Sequence, residues 1–328
     1  MEVINGGIRM AIRELSLFDI DQAFTLWNTL IKSGDVLYKP ITKEKFITYF
    51  LPNTEISSWC FIEDEKLIGF ISGVMIPERQ KAYLSMIMVD PKYQRKHIGK
   101  KLLLEFESRV KQEKIYSSID IVFFNPVQFE WIIPNTFNHD HPNTPGVDIK
   151  SAAYLFFKHE GYHDFAIQNS YYKDLKDYQF EPEMNTLIQD LQSKHIQITY
   201  YDSKKHTGFN ELFEDLKNPY WKDEITKAVT HHEPVLIAEQ HGEILGFTGP
   251  LRVQPSLRGY FAGIGVHSKT RGLGVGKVLF ASLVFELKQQ GAHYMTLFTG
   301  ETNPARKIYE REGFKIVKTW ADMRKEIL

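Results

Sequence analysis

The segment Arg271-Gly272-Leu273-Gly274-Val275-Gly276-Lys277 sets glycines at alternate positions just before an apolar helical pattern. Bare backbone at a helix start brings N–H groups onto a phosphate, and the helix dipole favours the negative charge. Three phosphate motifs use glycine this way, and two are excluded. A P-loop needs Ser or Thr after its lysine, and Val278 follows Lys277. A dinucleotide fingerprint needs Gly-x-Gly-x-x-Gly with an acid about 20 residues on. The spacing here is Gly-x-Gly-x-Gly, and position 294 is Tyr. What remains is Arg-x-x-Gly-x-Gly, carried by Arg271, Gly274 and Gly276. A plain turn before a helix is the competing reading.

The elements that position this loop are written twice. An altered twin lies 177 residues earlier, with Gln94, His97 and Gly99 at the places of Arg271, Gly274 and Gly276. The same offset relates Gly69 to Gly246 in two hairpin patterns, Trp59–Phe70 and Val235–Phe247. Such self-similarity marks two copies of one supersecondary plan. Each copy opens with a strand pattern (Met10–Arg13, Gln197–Tyr201) and a helical stretch (Asp19–Leu30, Phe209–Leu216). Hairpin, strand, loop and helix follow. The second of these helices carries Val275, Val278, Leu279, Leu283 and Leu287 near helical spacing and stops at Gly291. A further strand comes next (Ser118–Phe124, Tyr294–Phe298), then a short helix ending at Gly161-Tyr162 or Gly313-Phe314. The pattern predicts two mixed α/β domains, 1–178 and 184–328, each with helices against a sheet. Gly99 to Gly161 spans 62 residues and Gly276 to Gly313 only 37, so the first copy carries an insert, placed at Asn125–Lys150. Its prolines, Pro126, Pro134, Pro142 and Pro145, predict a loop or lid rather than a helix.

Downstream of the second loop stand Asn303, Ala305, Tyr309 and Gly313-Phe314. Loop and segment together resemble the acyl-CoA-binding core of the GNAT superfamily of N-acetyltransferases. The resemblance covers nearly all of the second half and, in degraded form, the first. The tandem arrangement is similar to that of two-domain members such as mycothiol synthase. It implies an α+β fold of two tandem GNAT-like domains, each a mixed, mostly antiparallel sheet flanked by helices.

The resemblance also implies roles. Acetyl-CoA would be the acyl donor, its pyrophosphate on the amides of Arg271, Gly272, Leu273, Gly274, Val275 and Gly276, beside Lys277. The pantetheine arm would pair with a splayed strand edge at Ile264, Gly265 and Val266, where an amide polarises the thioester carbonyl. Asn303 would face the cofactor, although it also fits a helix cap before Pro304. Arg306 would reach the nucleotide phosphates, or lie on a solvated helix face. Tyr309 would protonate the departing thiolate, a phenol of pKa about 10 being protonated at neutral pH; the alternative is a core aromatic. The strand before the loop, Tyr260–Val266, contains no carboxylate, so Glu301 is the nearest candidate base, against a solvated loop residue or a water relay.

The first copy differs at the chemistry. Phe157 stands opposite Tyr309, Ser151 opposite Asn303 and His97 opposite Gly274. Phenylalanine cannot donate a proton, so catalysis is expected in the second copy, with the first structural or shaping the acceptor site. A net charge of −1 over 328 residues supplies no global field for nucleic acid or an anionic membrane. The single cysteine, Cys60, excludes an internal disulfide and a cysteine metal site. His139-Asp140-His141 and His231-His232 lack a third ligand at a metal-site spacing. No stretch reads as a signal peptide or membrane span, and a cytoplasmic location is expected. The expected reaction is acetyl transfer to an amine, whether a small molecule or a peptide. A non-catalytic acyl-CoA sensor and a nucleotide-binding regulator are the rival readings.

Overall fold

The structure is a computed structural model and describes residues 2–5, 8–34 and 36–327. Its contacts divide it into two compact units. Met1–Thr136, His141–Gln168 and Thr319–Leu328 form the first; Phe137–Asp140 and Asn169–Lys318 form the second. Among the described residues no helix is long and apolar enough to cross a membrane.

The first unit begins with β1 (Glu2–Asn5), β2 (Ile8–Glu14), α1 (Ile20–Ser33) and α2 (Lys43–Phe50). It continues with β3 (Ile56–Glu63), β4 (Lys66–Ile76), β5 (Lys81–Val89), α3 (Ile98–Gln112) and β6 (Ser118–Ile121). Strands β1 to β5 are antiparallel neighbours in chain order, and β6 joins β5 in parallel. The chain end runs antiparallel to β6, with Met323 opposite Ile121. Both faces of the sheet are covered. Trp27, Phe46 and Phe50 of α1 and α2 pack with Phe70 and Met88, while Leu102 and Phe106 of α3 pack with Ile68 and Ile71. The insert holds only two-residue strands, β7 (Trp131–Ile132), β8 (Asp140–His141) and β9 (Val147–Asp148), and no helix. Then come α4 (Ala152–His159) and β10 (His163–Asp174).

The second unit holds α5 (Pro182–Ser193), β11 (Gln197–Tyr200), α6 (Phe209–Leu216), α7 (Pro219–Thr230), β12 (Leu236–Gln240) and β13 (Glu243–Thr248). It continues through β14 (Arg258–Gly259), β15 (Ile264–Val266), α8 (Val275–Gln289), β16 (Tyr294–Gly300), α9 (Arg306–Arg311) and the start of β17 (Lys315–Glu326). Strands β11, β12, β13 and β15 form an antiparallel sheet in that order. Strand β16 lies between β10 and β14. Alternation along β12 and β13 splits the core. Leu236, Ala238 and Leu245 face α8, whereas Ile237, Ile244 and Phe247 face α6 and α7.

The fold class is as expected, mixed sheets flanked by helices in two repeats. The strand expected over Tyr260–Val266 shortens to Ile264–Val266. Upstream of it the backbone bonds into its own turn, the Tyr260 N–H donating to the Arg252 carbonyl at 2.9 Å. Trp221 of α7 then lies across the chain, its indole N–H donating to the Ala262 carbonyl at 3.2 Å. A Cβ on Gly263 would fall 2.2 Å from the Trp221 Nε1, so glycine is needed there. The sequence reading also missed α2, α5 and α7.

Candidate active site

The glycine loop adopts the cradle form. Gly272 and Gly274 have φ of +86° and +91°, a region that favours glycine. Space beyond Gly272 is open, with nothing within 4 Å of where a Cβ would stand. The amides of Gly272, Gly274, Val275 and Gly276 make no hydrogen bond among the described residues. They are the uncommitted donors of a turn and the start of α8, a fifteen-residue helix. Arg271 and Lys277 stand exposed beside them. Asp215 of α6 fixes the approach to the loop. It accepts from the Ser268 N–H at 2.8 Å and hydroxyl at 2.6 Å, with Arg271 3.8 Å away. Hydrogen bonds from Ser268 hold its carboxyl below the usual carboxylate range. The sequence reading missed Asp215, because the pairing joins residues 53 positions apart.

The edge beside the loop is open. On one side β15 pairs with β13; among the described residues no strand pairs with its other side. The His267 N–H donates to the Leu245 carbonyl of β13 at 2.8 Å. By strand alternation Gly265 also bonds toward β13, which turns the amides of Ile264 and Val266 to the free edge. Four free loop amides and two free edge amides suit a pyrophosphate followed by an amide-bearing arm. The residues present thus fit an acyl-CoA donor.

Tyr309 lies on α9 at 5% exposure. Its ring is 4.9 Å from Phe280, 5.9 Å from Phe261 and 6.1 Å from Tyr171. Its hydroxyl makes no hydrogen bond among the described residues. Burial, and secondarily Tyr171, raise its pKa well above that of an ordinary phenol, so it stays protonated at neutral pH. Both readings of this residue hold together: the ring belongs to the core, and the hydroxyl is uncommitted.

The remaining candidates are less enclosed. Asn303 caps the turn before α9, its Oδ1 accepting from the Ala305 N–H at 3.0 Å. Arg306 turns back on the protein, donating to the Glu301 carbonyl at 2.9 Å and lying 3.4 Å from Glu310. The Glu301 carboxylate is exposed at the end of β16 and has no side-chain partner among the described residues. Glu239 is structural, accepting from Gly242 N–H at 2.7 Å in its hairpin turn. A further polar cluster, also missed from sequence, gathers where α7 meets the turn before β15. The Tyr260 hydroxyl donates to Glu224 at 3.0 Å, Arg252 stacks 4.7 Å from the Tyr260 ring, and Glu233 binds Arg252 at 2.7 Å.

The first unit keeps the same backbone path without the same chemistry. Arg95 and His97 both take φ of +61° at the places of Gly272 and Gly274. Phe157 is buried in the α3 core. The side-chain amide of Asn125 donates to the Leu84 carbonyl on β5 at 3.0 Å, while its Oδ1 accepts from Ser85 at 2.9 Å. Val127 and Phe129 of the insert fill the aromatic core with Trp27 and Phe50. The insert is thus packed into this unit's own α1/α2 face there. The histidine candidates have protein partners. His139 stacks 3.9 Å from Tyr294 and bonds the Tyr172 hydroxyl, and His231 bonds the Lys227 carbonyl.

A family model described as the acetyltransferase (GNAT) family matches residues 23–126 and 194–314. A mycothiol acetyltransferase of Thermomonospora curvata is 33% identical over 81 residues, 24% of this chain and 27% of that protein. A ribosomal protein bS18-alanine N-acetyltransferase of Haemophilus influenzae is 42% identical over 55 residues, 17% of this chain and 35% of that one. The matches thus span about a third or less of these curated relatives. A solved tandem GNAT protein from the clavulanic acid biosynthesis pathway shares the fold at a TM-score of 0.56 and 14% identity, over 97% of this chain and 99% of that one.

Proposed function

The chain belongs to the GNAT acetyltransferase family as a tandem member, and we propose that its second unit moves an acetyl group from acetyl-CoA to an amine. The observation that carries this reading is the free amides of Gly272, Gly274, Val275 and Gly276, together with the open edge of β15 and the uncommitted Tyr309 hydroxyl. When bound, acetyl-CoA supplies the acyl thioester. The loop amides, with Arg271 and Lys277, hold the pyrophosphate. The edge amides of Ile264 and Val266, flanking Gly265, orient the arm, and one polarises the carbonyl as the amine attacks. Tyr309 gives its proton to sulfur as the C–S bond breaks. Asn303 steadies the turn that sets Tyr309, and Arg306 stiffens the same turn. Glu301 is the carboxylate the sequence offers for the amine's proton.

Transfer is direct, with no acyl-enzyme. Cys60 is buried and burial pushes its thiol up to about 12, so it supplies no thiolate at neutral pH. The first unit supports the chain without turnover, since Phe157 has no proton to give. The test is thiol release from acetyl-CoA with a panel of primary amines, beside calorimetric titration of CoA, ATP and NAD. CoA binding with amine-dependent release is expected. CoA binding without release on any amine would favour a sensor; preference for ATP or NAD would favour a nucleotide-binding regulator.

A further inference from the structure

The reaction proposed above needs a group to take the acceptor's proton. A primary amine of pKa about 10.4 is almost wholly ammonium at pH 7, and freeing it lowers the rate by more than 10³-fold if nothing assists. Glu301 is exposed and nothing holds it toward the reacting atoms. The structure provides a held carboxylate elsewhere. Phe261 packs into the core beneath Tyr309 and α8. Its neighbour Tyr260 bonds instead to α7, the helix that packs on the opposite side of the sheet. Tyr260 and Tyr309 thus lie on either side of one short stretch of backbone. An acceptor bound on the α7 side would therefore reach this backbone from the face opposite Tyr309.

We propose that Tyr260 receives the acceptor's ammonium group and that Glu224, acting through it, takes the proton. The inference rests on the acetyl-transfer reading. The Tyr260 hydroxyl already donates to Glu224 Oε1 at 3.0 Å and, with Tyr220 as its other neighbour, keeps a lone pair for an N–H donor. As the ammonium proton passes to the Tyr260 oxygen, the phenol's own proton passes to Glu224. The products are a neutral amine, an intact phenol and a neutral carboxyl. The amine nitrogen then bonds to the acetyl carbonyl carbon and the C–S bond breaks. Sulfur takes the Tyr309 proton; the surplus proton on the new amide nitrogen passes to water, and water returns one to Tyr309. Glu224, 19% exposed, releases its proton to water. The sum is ammonium plus thioester giving amide, thiol and one proton.

The groups around Tyr260 suit this task. Glu224 and Tyr220 face it from α7, and Arg252 faces it from the turn before β15. Arg252 gives three hydrogen bonds to Glu233, at 2.7 to 3.0 Å, and stands farther from Glu224 Oε1, at 3.8 Å. Its guanidinium, 4.7 Å from the Tyr260 ring, fixes the ring's orientation. Glu224 is therefore a positioning and proton-accepting partner, and Tyr260 the group that touches the acceptor.

The experiment uses the full chain with acetyl-CoA and the best amine from the panel. Glu224→Gln keeps a hydrogen-bond acceptor for Tyr260 but removes the base. At about pH 8 it is expected to lower kcat/KM about 10²-fold while leaving the acetyl-CoA Kd and the melting temperature unchanged. Wild-type kcat/KM should be flat with pH from about neutrality up to the amine pKa. In Glu224→Gln it should instead rise about tenfold per pH unit, following the free amine in solution. Tyr260→Phe should reproduce that slope. Wild-type turnover with an unchanged Glu224→Gln profile would overturn this inference alone. A wild type that binds CoA but releases no thiol with any amine would overturn the transfer reading and this inference with it.

Discussion

Replacing Gly272 and Gly274 singly by alanine separates the glycine loop's structural work from its binding work. Both hold positive φ, where a Cβ costs about 1–2 kcal/mol. At Gly272 nothing lies within 4 Å of the new atom, so strain is the whole structural cost. At Gly274 the atom would stand 2.7 Å from Leu187 Cδ1, the end of a flexible side chain, which must turn aside. That repacking adds about 1 kcal/mol. For a unit of this size each kcal/mol lowers the melting temperature by about 2–4 °C. Gly291 supplies the control, because it has φ of +93° and open space at the far end of α8. Gly291→Ala should destabilise like Gly272→Ala and leave ligand binding alone. In the cradle, one amide bond to a charged phosphate contributes about 1.5–3 kcal/mol. Its loss weakens acetyl-CoA about 10–100-fold. Calorimetry on the three variants is the assay. Equal acetyl-CoA affinities for Gly272→Ala and Gly291→Ala would refute the assignment of the pyrophosphate to this loop.

Other outcomes follow from the same structure. Asp322 is buried, and burial pushes its carboxyl up to about 6 although Phe123 and Gln168 donate to it. Its protonated form is favoured by folding, so stability is fully present below the unfolded value near 4 and is lost as pH rises through about 6. Asp322→Asn should therefore gain about 2–3 kcal/mol over wild type at pH 7.5 compared with pH 4; equal melting-temperature differences at both pH values would contradict this. Cys60 is buried, and its raised pKa leaves little thiolate, so a disulfide reagent should label it only in denaturant; rapid labelling of the folded chain would count against the buried site. Full-length Tyr309→Phe carrying Phe157→Tyr and His97→Gly should stay inactive, because Asn125, Val127 and Phe129 occupy the first unit's centre. Recovered thiol release would show that the insert leaves room for an acceptor.

Much of the second unit was legible because its signals are local. Alternate glycines before a helix, a residue at helical spacing from another, and a hairpin with a polar turn all lie within a few positions. The repeat was legible because Gly69 and Gly246 keep one offset with the two loops. Contacts between distant positions were not. Trp221 ends β15 early, and only its place across Ala262 shows why. Asp215 braces the loop and Glu224 meets Tyr260, yet neither carries a motif of its own. Like His97, Arg95 occupies a glycine-like backbone position, which composition alone does not reveal. The chain end joins the first unit because β6 offers it a partner, a choice made by pairing across about two hundred positions.

In the reaction proposed for the second unit, the Tyr309 hydroxyl protonates the leaving thiolate. Tyr309→Phe removes one oxygen that has no hydrogen bond among the described residues and keeps the ring among Phe280, Phe261 and Tyr171. Melting temperature and acetyl-CoA Kd should therefore stay at wild-type values, while kcat for thiol release with the best amine falls about 10²–10⁴-fold. A variant that binds and melts as wild type and keeps wild-type kcat would contradict the claim.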